Sequence, residues 1–189
     1  MAEIELKNIA HSYNPQAADM AYALDRFDMT WVDGGRYAIL GPSGCGKTTM
    51  LNIMSGIVQP SEGKLLFDGV DVTALSTSER NIAQVFQFPV IYGTMTVEQN
   101  LAFPLVCRNY EKSVIDAKVL EVAEALSLQG LLKKSASRLT ADQKQLISLG
   151  RGLVRDDVAA VLMDEPLTVI DPDLKFRLRR QLKEINQKY

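Results

Sequence analysis

An α/β fold is what this sequence predicts, and three observations predict it. Segments near the start alternate apolar and polar residues, and a short apolar segment, "VAAVLM" at 158–163, returns late in the chain. An apolar run, "RYAIL" at 36–40, opens directly onto a glycine-rich loop followed by a helical pattern. From about Val97 to Arg155 the apolar spacing is that of helices. Strands flanking a helical insertion, with strand–loop–helix units between them, define a mixed architecture.

The elements follow in order. "EIELKNI" and "LDRFDMTWV" (Leu24, Phe27, Met29, Trp31) alternate and predict half-buried strands, with "DGG" at 33–35 as the turn after the second. "RYAIL" predicts the strand that enters the loop, and a helix follows from Lys47 to about Gly56, closed by "QPSEG". "GKLLFDGVDVT" predicts a strand and turn, and "NIAQVF" a short buried strand. Within the helical region, Val114, Ile115, Ala117, Val119, Leu120, Val122, Ala123 and Leu126 predict a broad apolar stripe. Asp171 is placed to cap a helix opened by Pro172, with Leu174, Leu178, Leu182 and Ile185 along one side.

Composition narrows the function classes. The 189 residues are 47% hydrophobic and 23% charged with net charge −2, an ordinary globular balance without the basic excess of a nucleic-acid binder. Cys45 and Cys107 suggest no disulfide framework, so a reducing compartment is expected. His11 is the only histidine, which argues against a His-rich metal site. No apolar run approaches the ~20 residues of a membrane span, and the opening "MAEIELKN" does not resemble a signal peptide. A membrane, if one matters, is met through a partner.

The loop carries the chemistry. Gly41-Pro42-Ser43-Gly44-Cys45-Gly46-Lys47-Thr48-Thr49 matches G-x-x-x-x-G-K-[ST] in the strand–loop–helix setting that a phosphate-binding loop requires. Glycines let successive backbone N–H groups converge on phosphate oxygens, and the helix that follows adds its positive end. Lys47 can reach β- and γ-phosphates, and the Thr48 hydroxyl is placed to ligate Mg²⁺. A nucleotide-hydrolysing domain needs a second, acidic site, and "VLMDEP" supplies one: Asp164 for the Mg²⁺ shell and Glu165 as the candidate general base, both just past a buried strand.

With these segments the chain resembles the ATP-binding subunits of ABC transporters over nearly its whole length. "GPSGCGKTTMLNIMSG" is similar to the family's Walker A segment, "VFQ" ending in Gln87 to its Q-loop, and "VLMDEP" to Walker B. "LTADQKQLISLGRGLVRD" stands in the place of the "LSGGQ" signature and its helix, and "LTVIDP" resembles the D-loop, with Asp171 as its aspartate. Tyr13 sits where the family stacks an aromatic on adenine. "FDGVDVTALSTSERNIAQVFQ" and "MTVEQNLAFPL" narrow the resemblance to importers of sugars, glycerol phosphate and related polyols.

The resemblance implies an energy-coupling ATPase on a RecA-like core with an antiparallel β segment, 1–88 and 155–189, carrying an inserted helical subdomain at 89–154. It implies ATP and Mg²⁺ as ligands, with Gln87 joining Thr48 and Asp164 around the metal and acting with Glu165 in catalysis. It implies a peripheral position on the cytoplasmic face of the plasma membrane, two integral-membrane permease subunits docking near Gln87, a solute-binding protein and a second ATPase subunit. Each ATP would lie between one subunit's Walker A and the other's signature.

Two departures qualify these expectations. The signature reads Leu139-Thr140-Ala141-Asp142-Gln143, which keeps a hydroxyl at Thr140 but places a methyl group and a carboxylate where the family has glycines. That predicts a non-identical partner and one weak composite site; the simpler reading is that Asp142 favours the helix start. The family also continues past the position of Tyr189 with a further strand and a switch histidine, so a truncated C-terminus is expected. Two alternatives stay open: a non-hydrolysing ATP-binding subunit, and an ABC ATPase outside transport.

Overall fold

In the first segment, alternation of side chains becomes a strand. β1 (Ile4–His11) buries Ile4, Leu6, Ile9 and Ala10 and exposes Lys7 and Asn8. A register shift between Leu6 and Ile9 returns the apolar set to the core, and Asn8 takes φ 51° there. This computed structural model describes residues 2–16, 21–168, 170–172 and 175–176. The chain divides into two compact units, Met1–Ile82 with Asp157–Asp164, and Ala83–Asp156 with Glu165–Tyr189.

The first unit is built on a four-stranded antiparallel sheet in the order β2-β1-β3-β4. β2 (Leu24–Trp31) lies at its edge, so of its predicted apolar face only Trp31 is buried, Leu24 and Phe27 are half-buried and Met29 is exposed. β3 (Glu62–Phe67) and β4 (Val70–Asp71) join through Asp68-Gly69 at φ 49° and 76°. Two positive φ values match the right-handed twist of a two-residue hairpin, and an Asp-Gly pair tolerates them. Ile4, Leu6, Ile9, Trp31, Leu65 and Phe67 from the sheet pack with Met50, Leu51, Ile53 and Met54 of α1 (Lys47–Ser55) to form the core.

The expected strand at 36–40 does not form. Residues 36–40 have no strand assignment, Ile39 packs against the core, and Leu40 is 91% exposed. Apolar content marks a segment for burial, but a strand also needs a neighbour to bond, and no ladder includes this one.

α1 is anchored at its far end by a side chain that the sequence pattern did not single out. Gly56, at φ 82°, ends the helix, and its N–H donates to the Ile53 carbonyl. The fully buried Arg80 then donates to the carbonyls of Ile53 and Met54, and across to those of Thr73 and Leu75. The Ile53 and Met54 carbonyls lie at the C-terminal end of α1, whose negative end the positive charge suits. Burial draws the Arg80 pKa below the ordinary guanidinium value. β6 (Ala160–Met163) completes the unit and delivers Asp164; β5 (Ile82–Val85) spans the division between the units.

The second unit is mainly helical, with α2 (Val97–Val106), α3 (Lys112–Ala125) and α4 (Ala141–Leu153). α2 and α4 each begin at a threonine with a reciprocal capping box, Thr96 with Gln99 and Thr140 with Gln143. The stripe on α3 is narrower than expected: Val119, Val122, Ala123 and the following Leu126 are buried, whereas Val114, Ala117 and Leu120 are exposed. The buried set is the i, i+3, i+4, i+7 face alone, which is all that one packed side of a surface helix can cover. The last predicted helix does open at Pro172: Pro172, Lys175 and Phe176 are helical, and the Lys175 N–H donates to the Asp171 carbonyl. Leu174, Leu178, Leu182 and Ile185 lie outside the described residues.

Candidate nucleotide site

The phosphate loop lies in the first unit. Gly44 and Gly46 take φ 82° and 89°, and a Cβ on Gly46 would lie 2.7 Å from the Ala23 carbonyl oxygen. Glycine is therefore required at the residue from which α1 starts, on conformational and steric grounds together. Unlike α2 and α4, α1 has no side-chain cap and no acidic residue in its first turn. Its positive end is thus not offset by a capping side chain or by an acidic residue of its own first turn.

The side chains around this end have the chemistry of a phosphate and cation site. Lys47 Nζ folds back on the loop and donates to the carbonyls of Gly41 (2.9 Å) and Pro42 (2.8 Å). Thr48 Oγ1 donates to Asp164 Oδ2 at 2.7 Å, bringing a hydroxyl and a buried carboxylate together from residues 116 apart in sequence. Such hard oxygens suit Mg²⁺, which takes one or two protein ligands and completes its shell with phosphates and water. Pro42, Ser43 and Cys45 are exposed on the loop, and Thr49 is buried beneath it.

Tyr13 stands beside the start of α1 with its ring 65% exposed. Its hydroxyl lies 3.1 Å from Thr49 Oγ1, and the buried His11 ring meets it edge-on at 4.6 Å. A half-buried core aromatic would not leave that much ring in solvent.

The second unit carries the other candidates. Gln87 Nε2 donates to Glu165 Oε2 at 3.5 Å, and Thr168 Oγ1 donates to the same oxygen at 3.1 Å. Glu165 has φ 42°, a left-handed conformation that a residue with a Cβ adopts only when its surroundings hold it there. It is joined to Asp164 by one peptide bond. Thr168 escaped the sequence reading because a lone threonine three residues past a carboxylate carries no pattern.

In the signature segment, Leu139 is buried and Thr140 caps α4. Gln143 is engaged in the capping box: its Oε1 accepts from Thr140 N at 3.2 Å, and its N–H donates to Thr140 Oγ1 at 3.3 Å. Ala141 is exposed and Asp142 lies in the first helical turn. The Asp171 carbonyl accepts from Lys175 N at 2.8 Å. Gln145, two residues past the signature, is fully buried and was missed; a glutamine among the apolar positions of α4 was its only mark.

A glycine loop at an uncapped helix start, with an amine, a hydroxyl and a strand-end carboxylate converging on it, defines a phosphate-loop nucleotide-binding domain. The family model described as ABC transporter matches residues 24–168. The chain belongs to the ABC transporter family, as an ATP-binding domain.

It is 39% identical over its whole length to the trehalose import ATP-binding protein SugC of Mycobacterium tuberculosis, covering 47% of that protein. It is 36% identical to the sn-glycerol-3-phosphate import ATP-binding protein UgpC of Burkholderia pseudomallei, over 98% of this chain and 50% of that one. The chain thus spans about half the length of the curated relatives it matches. Its fold is similar to a solved dimeric structure of the ATP-binding cassette MJ0796, in a post-hydrolysis state bound to ADP and Pi. The TM-score is 0.85 at 25% identity, over 98% of this chain and 83% of that one.

Proposed function

We propose that the chain binds and hydrolyses Mg-ATP as the energy-coupling subunit of an importer for a sugar, glycerol phosphate or related polyol. The observation that carries this is the uncapped start of α1 with Lys47 on the loop and the Thr48–Asp164 pair at 2.7 Å. Loop amides and Lys47 hold the phosphates, Tyr13 stacks on the base, and Thr48 and Asp164 would hold Mg²⁺ when it is bound. The metal would withdraw charge from the phosphate oxygens. Glu165 takes the proton of the attacking water, oriented by Gln87 and Thr168. The named relatives are import proteins for a disaccharide and a glycerol phosphate, which supports the solute class.

Among the described residues no helix is long and apolar enough to cross a membrane. The import relatives support two integral-membrane permease subunits as partners, with this chain peripheral on their cytoplasmic side and a solute-binding protein delivering cargo. Purification with neighbouring gene products, followed by a screen of sugars and polyol phosphates for stimulated ATP hydrolysis, tests the assignment.

Tyr13→Ala is expected to weaken adenine-nucleotide binding by about 1–2 kcal/mol, roughly 5- to 30-fold, as a stacking platform is lost. Tyr13→Phe should keep most of the affinity. Equal ATP affinity in the parent and Tyr13→Ala, read by calorimetry, would return Tyr13 to a packing role.

The signature supports a paired, non-identical ATPase partner. Thr140 and Gln143 hydrogen-bond each other, and Asp142 presents negative charge at the helix start, where a partner's γ-phosphate would approach. Ala141→Gly with Asp142→Gly should strengthen ATP-driven association and raise turnover at the weak site. The same change should cost roughly 1 kcal/mol or more of helix stability. A folded double variant with unchanged association would reduce Asp142 to a residue that favours the helix start.

A further inference from the structure

Gln145 lies on α4, outside every motif named above. Its side chain is fully buried, and its amide nitrogen donates to two backbone carbonyls, Phe86 O at 3.1 Å and Pro166 O at 2.9 Å. The first carbonyl belongs to the peptide bond that leads into Gln87; the second lies one residue past Glu165. One nitrogen thus ties together the two backbone segments whose side chains meet at Glu165 Oε2.

A primary amide suits this position. It places two N–H donors on one atom without a charge, whereas a carboxylate would present only acceptors to two carbonyls, and an ammonium would bring a buried charge. The other end of the amide has no evident stabilising role, since Oε1 is buried without a hydrogen-bond partner among the described residues. A glutamine kept at the cost of a buried unpaired acceptor is held for its donors. Glu165 needs such support, because its φ of 42° is not one it would choose unaided.

We infer that Gln145 is a positioning residue that holds the Gln87 segment against the Glu165 segment, and so sets the base for hydrolysis. The inference rests on the reading of Glu165 as that base. Because Gln145 stands on the helix that opens with Thr140-Ala141-Asp142-Gln143, the same amide links the signature element to the catalytic carboxylate.

The test compares Gln145→Met, Glu165→Gln and the double variant in the permease-assembled complex. Methionine fills a similar volume and removes both donors together with the unpaired acceptor. The Phe86 and Pro166 carbonyls lose these bonds, so some fall in melting temperature is expected and folding is verified at the assay temperature. The kcat of Gln145→Met should fall roughly 10- to 100-fold, the scale of a misplaced catalytic group, with KM for ATP within about twofold of the parent. The double variant should be no slower than Glu165→Gln alone, since both act on one group.

A kcat within about twofold of the parent in folded Gln145→Met, beside an inactive Glu165→Gln, would overturn the role of Gln145 alone. Full turnover in Glu165→Gln would overturn the reading of the base, and this inference with it. If Gln145→Met melts below the assay temperature, kcat and KM of variant and parent are compared at a temperature below its transition. A kcat ratio there within about twofold would overturn the proposal.

Discussion

Glu165→Gln is expected to abolish most ATP turnover while leaving nucleotide binding within a few-fold of the parent. The substitution keeps the side chain's size and its capacity to hydrogen-bond Gln87 and Thr168, which now meet Glu165 Oε2 at 3.5 and 3.1 Å. It removes only the ability to accept a proton, a contribution typically worth 10²–10⁴-fold, so a loss of about that size is expected. The phosphate-holding groups Lys47 and Thr48 are untouched. Phosphate release by the assembled complex is the measurement, with a nucleotide titration beside it. Parental turnover in the variant would remove Glu165 from the base role.

Lys47→Ala should have the second large effect, on binding rather than chemistry. A charge-assisted bond to phosphate is worth about 1.5–3 kcal/mol, so Mg-ATP affinity should fall roughly 10- to 150-fold. The fold should not suffer. Lys47 donates to the carbonyls of Gly41 and Pro42 and to Cys45 Sγ, all on the exposed loop and able to turn to water, and alanine is a good helix former at the first position of α1. An unchanged melting temperature with weakened binding would assign the loss to the phosphate contact. Unchanged affinity would count against the loop as the binding element.

What was legible in the sequence is what short-range pattern encodes. Gly46 and Lys47 are adjacent, and the same local geometry that puts Gly46 at φ 89° starts the helix carrying Lys47 and Thr48. The turn predicted within "GKLLFDGVDVT" is the Asp68-Gly69 hairpin, whereas the Thr140–Gln143 capping box went unread. Asp164 could be placed opposite Thr48 because a strand-end carboxylate has few other uses beside a phosphate loop.

What was illegible depends on partners distant in sequence. "RYAIL" looks like a strand until a bonding neighbour is sought. Met29 was placed with Trp31 on the buried face of β2, but at this edge strand it stays exposed while Trp31 is covered. Arg80 and Gln145 were not singled out in the sequence, yet both are fully buried and bond carbonyls in segments 5–27 and 21–59 residues away. A polar side chain committed to remote backbone acceptors leaves no periodicity to read.

The central claim is that hydrolysis at this site drives solute movement through membrane partners. Its most direct test is the rate of phosphate release from the complex of this chain with its permease subunits, reconstituted in lipid vesicles. The rate is compared with and without the solute-binding protein charged from a panel of sugars and polyol phosphates. The account predicts slow hydrolysis without permeases, stimulation by one member of the panel, and loss of that stimulated rate in Glu165→Gln. A rate that is the same with and without permeases and cargo, or that survives in Glu165→Gln, would contradict it.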